Sequence, residues 1–191
     1  MSVPKLISPL LDGFVMGDAI SDHDGVRCCP AMRMTDSGKY IVKIISLPAS
    51  QTKLDALLLA GAFSDRASAL EYYHQLSQDI LEEAVLLQRF AQLEGFVSYE
   101  GWQLEPMEDG SGYDVYLLAP YHATLDRIWK KEPLTHLQAV NLGLDLCSAL
   151  AACRRSGWLY ADLKPENICI CPNGEYRIGD GPWQTIVKGE H

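Results

Sequence analysis

The first regular pattern along the chain is strand-like. Residues 13–47 carry three β-branched or alternating runs, VMGDAI, VRCCPAMRM and KYIVKIISL, separated by the turn-rich SDHDG and TDSG. Such spacing predicts three short antiparallel strands. From Gln51 to Leu93 the period becomes helical, first with Leu54, Leu57 and Leu58. After Phe63-Ser64-Asp65 it continues with Leu70, Tyr73, Leu76, Ile80, Ala84, Leu87 and Phe90, and Gly95 is the natural stop. Phe96 to Leu104 and Tyr113 to Leu118 return to strand-like runs around the loop MEDGSG, so five strands and a long helix accumulate by residue 120.

A short helix containing Leu125, Ile128 and Trp129 follows, ended by Glu132-Pro133. The next helix carries the clearest terminal signals. Thr135-x-x-Gln138 forms a capping box at its start, Arg154 and Arg155 occupy its last turn, and Gly157 stops it. Leu137, Val140, Leu144, Cys147 and Ala151 make one apolar seam, and Leu142, Leu146 and Leu150 make a second, so burial on more than one side is expected. The tail reads as a loop, the run ICIC, the turn PNG, the run YRIG and Asp180.

Composition narrows the function classes. A chain of 191 residues has room for one ordinary domain or two small lobes, and 48% hydrophobic content supports a buried core. The formal charge of −9 opposes general nucleic-acid binding, so any phosphate ligand must be held locally. The start, MSVPKLISPLLDGF, has no signal-peptide pattern, and no run approaches a membrane span, which gives a cytoplasmic expectation. The six cysteines lack the C-x-x-C pairs of a zinc site and read as reduced core thiols.

Residues 160–168 read YADLKPENI and residues 176–180 read YRIGD. Asp162-Leu163-Lys164-Pro165-Glu166-Asn167 resembles the catalytic loop H-R-D-L-K-P-E-N of protein kinases. The 13 positions from Asn167 to Asp180 hold the expected hairpin before a metal-binding Asp. On these motifs the chain resembles bacterial serine/threonine kinases of the eukaryotic-like protein kinase family. Phosphoryl transfer needs a carboxylate to orient the attacking hydroxyl, oxygen ligands for Mg²⁺, and a cation to offset charge on the transferring group. The resemblance makes Asp162 the catalytic carboxylate, Lys164 the cation near the γ-phosphate, and Asn167 and Asp180 the metal ligands. Lys two places after the Asp is the serine/threonine pattern. ATP and Mg²⁺ are the implied cofactors, and a protein Ser/Thr the implied substrate.

The amino-terminal half extends the resemblance. Tyr40-Ile41-Val42-Lys43 is similar to the V-A-I-K strand whose Lys grips the α- and β-phosphates and pairs with a helix Glu, here Glu83 or, one register away, Glu82. Residues 17–26, GDAISDHDGV, stand where the glycine-rich loop is expected, keeping Gly17 and Gly25 but adding Asp18, Asp22 and Asp24. Three carboxylates near a triphosphate weaken its binding unless they turn outward or a metal intervenes. In the implied adenine pocket Ile41 narrows the roof and Ala119 stands at the gatekeeper position. Pro120 follows and offers a carbonyl, His122 offers a backbone N–H, and Cys169 lies on the floor. Tyr160-Ala161 replaces His-Arg, and Asp180-Gly181-Pro182 keeps the metal ligand without the Phe.

The expected fold is therefore α+β and protein kinase-like. Residues 1–12 form an amino-terminal extension and residues 13–120 a five-stranded antiparallel N-lobe with a long helix and an insert at about 48–66. Residues 121–191 form the first part of a helical C-lobe. By resemblance a complete kinase continues past the metal-binding Asp into segments that hold substrate. The isolated chain is then expected to be weak in transfer, and to self-associate or need a partner through the exposed face of the 135–155 helix. The alternative is a pseudokinase-like module that binds nucleotide or a partner without transfer.

Overall fold

The computed structural model describes residues 8–91, 95–97, 99–179 and 186–188. The chain divides into two compact units, Met1–Glu82 with Tyr99–Tyr121, and Glu83–Ser98 with His122–His191.

The first unit is built on an antiparallel sheet. Its strands are β1 (Phe14–Met16), β2 (Ser21–His23), β3 (Val26–Arg33), β4 (Lys39–Leu47), β5 (Gly101–Pro106) and β6 (Tyr113–Pro120). Their order is β1-β3-β4-β6-β5, with β2 also paired to β3. The sheet thus has six strands where five were expected, because the run VMGDAI stops as a strand at Met16 and a further strand, β2, forms in SDHDG, where only a turn was expected. Met16 pairs with Ala31 and Ser21 with Cys28, so five steps on one strand face three on the other. The excess loops out at residues 17–20, anchored by Gly17 N–H to Pro30 O and Ile20 N–H to Cys28 O, both 2.8 Å. The strand expected from Phe96 also starts later, at Gly101, because Phe96 forms a parallel bridge to Ile178 within the second unit.

Strand β4 explains how the sheet sorts its side chains. Tyr40, Val42 and Ile44 are buried with Leu11, Met16, Cys29, Ala31, Tyr116 and Leu118 in one core. The two-residue pleat then puts Ile41 and Lys43 on the opposite face. Between β4 and β5 lie α1 (Gln51–Leu59), whose amino end is capped by Ser50 Oγ, and α2 (Arg66–Ala91). The stretch 48–66 is therefore helical over much of its length. Ala69, Tyr73, Ser77, Ile80 and Ala84 form the buried stripe of α2 at helical spacing.

The second unit contains β7 (Ala123–Thr124), α3 (Leu125–Trp129), α4 (His136–Arg155), β8 (Trp158–Tyr160), β9 (Ile168–Ile170), β10 (Tyr176–Ile178) and β11 (Ile186–Lys188). Strands β10-β9-β7 make one small sheet and β11-β8 another. The capping box expected at Thr135 and Gln138 is present, with Arg154 and Arg155 in the last turn of α4. One side of α4 is covered. Ala149 and Cys153 pack with Phe96 and Ile178, flanked by Leu146 and Leu150, while Leu142 and Leu146 flank the cluster of Leu125, Ile168 and Tyr176. The other seam, Leu137, Val140, Leu144, Cys147 and Ala151, is exposed, so the chain buries one of the two apolar seams. Cys147 is accordingly exposed and Cys28 half-buried, which corrects the reading of all six thiols as core; the other four are buried. Among the described residues no helix is long and apolar enough to cross a membrane.

Candidate active site

Residues 161–164 leave β8 as irregular backbone, and Pro165–Asn167 closes the loop with a 3₁₀ turn, Pro standing at its start where a missing N–H costs nothing. The loop brings together three of the residues singled out in the sequence. Lys164 Nζ lies 2.7 Å from Asp162 Oδ2. Asn167, 4% exposed, donates its side-chain amide to Asp162 O at 2.8 Å and to Asp162 Oδ2 at 2.9 Å. The Asp162 carboxyl is held below its ordinary pKa, first by the hydrogen bond from Lys164 and then by that from Asn167. An ionised carboxylate, an adjacent ammonium and a buried amide therefore share one short loop.

Three long-range contacts support this loop and the hairpin that follows it. Gly179 N–H donates to Asn167 O at 2.7 Å. A Cβ at Gly179 would run into Cys169 Sγ on β9, so a side chain at this position would have to displace that sulfur. A glycine directly before the expected metal ligand is the signal that was available. Asp145 on α4 accepts the backbone N–H of Tyr176 at 2.9 Å, tying the helix to the β9–β10 hairpin. Strand β11 pairs with β8, so the chain returns to the strand that enters the loop. Asp180 itself lies outside the described residues.

In the first unit the face of the sheet opposite the main core carries Ile41 and Lys43 on β4, and their register partners Ala119 and Leu117 on β6. Pro30 and Cys28 of β3 complete it, opposite Ile41 and Lys43. Three residues expected around a nucleotide, Ile41, Lys43 and Ala119, thus occupy one face. Lys43 is half-buried and Ala119 buried. Pro120 ends β6 opposite Tyr40, and Tyr121 N–H donates to Lys39 O at 2.9 Å.

Gly25 closes the β2–β3 turn with Asp24, at φ +80° and +49°, the two positive values of a type I′ hairpin. A Cβ at Gly25 would approach Ala49 to 2.7 Å, so the turn and this packing account for the glycine. Gly17 belongs to the looped-out segment beside Pro30. Asp18, Asp22 and Asp24 are all exposed.

In the second unit's part of α2, Glu83 is half-buried beside buried Ala84, whereas Glu82 is exposed. His122 is half-buried, and burial followed by the charge of Arg177 pushes its pKa down. Cys169 is buried on β9. A cavity of about 270 Å³ lined by Gly95, Asp145, Ser148, Glu175, Tyr176 and Arg177 contains none of these candidates.

No family model matches the chain. Over 77 residues, 39% of this chain, it is 34% identical to the serine/threonine-protein kinase PknK of Mycobacterium tuberculosis (strain ATCC 25618 / H37Rv), with the same identity to PknK of Mycobacterium bovis. Over 74 residues, 37% of this chain, it is 30% identical to the Aurora/IPL1-related protein kinase 2 of Caenorhabditis briggsae. The matched segments span 7% of PknK and 24% of the Aurora-related protein. These partial similarities support a relationship to protein kinases, and the α+β architecture with its antiparallel sheet is compatible with a kinase N-lobe.

Proposed function

We propose that the chain carries the nucleotide-binding and phosphoryl-transfer elements of an ATP-dependent serine/threonine protein kinase. The observation that carries this reading is the Asp162, Lys164 and Asn167 cluster on one loop. In this reading Asp162, kept ionised by its neighbours, accepts the hydrogen bond of a Ser or Thr hydroxyl and orients it for attack. Lys164 offsets charge on the group in transfer. Lys43 and Glu83 keep the phosphate-gripping and pairing roles implied by the resemblance. Ile41, Ala119, Pro120, His122 and Cys169 likewise keep the adenine-site roles, and Gly17 and Gly25 the phosphate-loop roles, implied by the resemblance.

The donor set fits Mg²⁺. Asn167 offers a buried amide whose NH₂ is directed to Asp162, which leaves its carbonyl oxygen for a cation, and Asp180 adds a carboxylate. Both are hard oxygen donors of the kind Mg²⁺ takes. Bound Mg²⁺ would supply neutralisation of phosphate charge.

Thermal unfolding tests this. ATP is expected to raise the melting temperature with Mg²⁺ present and much less with EDTA, and Lys43→Met and Asp180→Asn are each expected to suppress the shift. An unchanged shift in both variants would overturn the assignment. A second reading, a module that binds nucleotide or a partner without transfer, is favoured by the 17–25 segment. Gly25 there serves a hairpin turn, and three carboxylates stand nearby. A melting shift without γ-phosphate transfer to any Ser/Thr protein would select it.

A further inference from the structure

Strand β10 is the edge of its small sheet, so its outward backbone groups need partners from elsewhere. Among the described residues two anchors supply them. Ile178 N–H donates to Gly95 O, and Ile178 O accepts Val97 N–H, both at 2.8 Å. Two residues earlier on the same edge, Tyr176 N–H donates to Asp145 Oδ2 at 2.9 Å. A helix side chain thus stands where a neighbouring strand would. Asp145 is the one charged residue between His136 and Cys153, and aspartate is a poor residue for a helix interior. Local helix stability does not account for it.

The hairpin carries this anchor to the candidate site. Tyr176 pairs with Ile170 and Ile178 with Ile168, Asn167 directly precedes β9, and Gly179 directly follows β10. Gly179 N–H then holds Asn167 O at 2.7 Å, and Asn167 holds Asp162. Every step of this path lies within the second unit. We infer that Asp145 is a positioning residue for the phosphoryl-transfer loop: through Tyr176 N–H it fixes β10, and through the hairpin it fixes the Asn167 oxygen offered to Mg²⁺. The inference rests on the kinase reading.

The surroundings of the contact separate this role from a purely structural one. The cavity of about 270 Å³ is lined by both Asp145 and Tyr176, so water can reach the place the carboxylate leaves. Asp145→Ala then exchanges one hydrogen bond for a hydrated N–H and gains helix propensity, which keeps the fold. What it loses is one of two anchors on β10, and the strand is free to pivot about Ile178.

Melting scans of the full chain with ATP and increasing Mg²⁺ give the Mg²⁺ concentration at half of the maximal shift. Asp145→Ala should raise that midpoint about tenfold, with little change in far-UV circular dichroism or in melting without ligand. Asp145→Asn offers an oxygen at the same reach and should restore it. Asp145→Glu keeps the charge but carries its oxygens one methylene further out, and should raise it. The side-chain NH₂ resonances of Asn167, read by NMR without ligand, should move in the Ala and Glu variants and return in the Asn variant. Should Asp145→Ala not fold, the Asn and Glu variants decide alone. An unchanged midpoint in Asp145→Ala, or a midpoint kept by Glu and lost by Asn, would overturn the inference and leave the kinase reading standing. A chain with no Mg²⁺-dependent shift before any substitution would remove the kinase reading instead. The Asn167 resonances would then judge the positioning on their own, and resonances that Asp145→Ala and Asp145→Glu leave in place would end it.

Discussion

Asn167 grips Asp162 twice, through the backbone carbonyl at 2.8 Å and the carboxylate at 2.9 Å. The pair fixes the candidate carboxylate relative to the buried amide. Replacing Asn167 with Ala removes both donors and leaves a void at a residue only 4% exposed. A loss of about 1–3 kcal/mol is expected in urea unfolding at pH 7. Asn167→Asp should also destabilise, because two carboxylates would then face each other, and part of that loss should be recovered on acidification as one of them protonates. Stability of Asn167→Asp that does not improve towards pH 5 would contradict this contact.

The pH behaviour of Asp162 follows from the same loop. Its folded pKa lies below the ordinary carboxylate value because of Lys164 first and Asn167 second. For a depressed acid, the contribution to stability is present above the unfolded pKa and lost as pH falls through the folded one. A carbon-detected NMR titration should place the Asp162 midpoint below that of an exposed Asp. Lys164→Met should move it upward more than any single change outside the loop. An unmoved midpoint would mean that the Asp162–Lys164 contact is not populated in solution.

Ala119 pairs with Ile41 across β6 and β4, on the sheet face that also carries Lys43. If this face receives adenine, the small side chain leaves room for a ligand with a bulky group on the exocyclic nitrogen. Ala119→Met should weaken such a ligand by about 1–3 kcal/mol while leaving ATP nearly unaffected. Calorimetric titration of both ligands checks it, and equal effects would place Ala119 elsewhere relative to the base.

What the sequence made legible was local. The Thr135 and Gln138 capping box depends on residues three apart, and the structure contains it. The period-two pattern of KYIVKIISL correctly separates Tyr40, Val42 and Ile44 from Ile41 and Lys43, because the pleat is a property of the strand alone. The break in VMGDAI was hidden, since it is set by hydrogen bonds to Pro30 and Cys28 rather than by the run's own residues. The start of β5 was misplaced for a similar reason: Phe96 belongs with Ile178 through a long-range bridge. Within the site, the short spacing of Asp162, Lys164 and Asn167 predicted their meeting. The supports from Gly179, Asp145 and β11 come from distant residues with no periodic signal. Asp180 lies outside the described residues.

The first of these supports, Gly179, is also open to a genetic test. Gly179 N–H holds the Asn167 carbonyl at 2.7 Å, and the Tyr160 hydroxyl reaches Gly179 O at 3.4 Å, so residue 179 sits between the loop and β8. A Cβ at this position would lie 2.4 Å from Cys169 Sγ but 3.7 Å from Cys169 Cβ and 3.6 Å from Asn167 O. The obstacle is thus one sulfur atom. Gly179→Ala should push the hairpin away from the loop and cost about 1–3 kcal/mol by overpacking. Cys169→Ala alone should cost about 1 kcal/mol, as a small buried truncation. In the double variant the new methyl meets only ordinary contacts, so its cost should fall clearly below the sum of the two single costs. Any Mg-ATP melting shift should follow the same order, weakened by Gly179→Ala and recovered when Cys169→Ala is added. Strictly additive costs in urea unfolding would show that Gly179 is required for a reason other than the sulfur of Cys169.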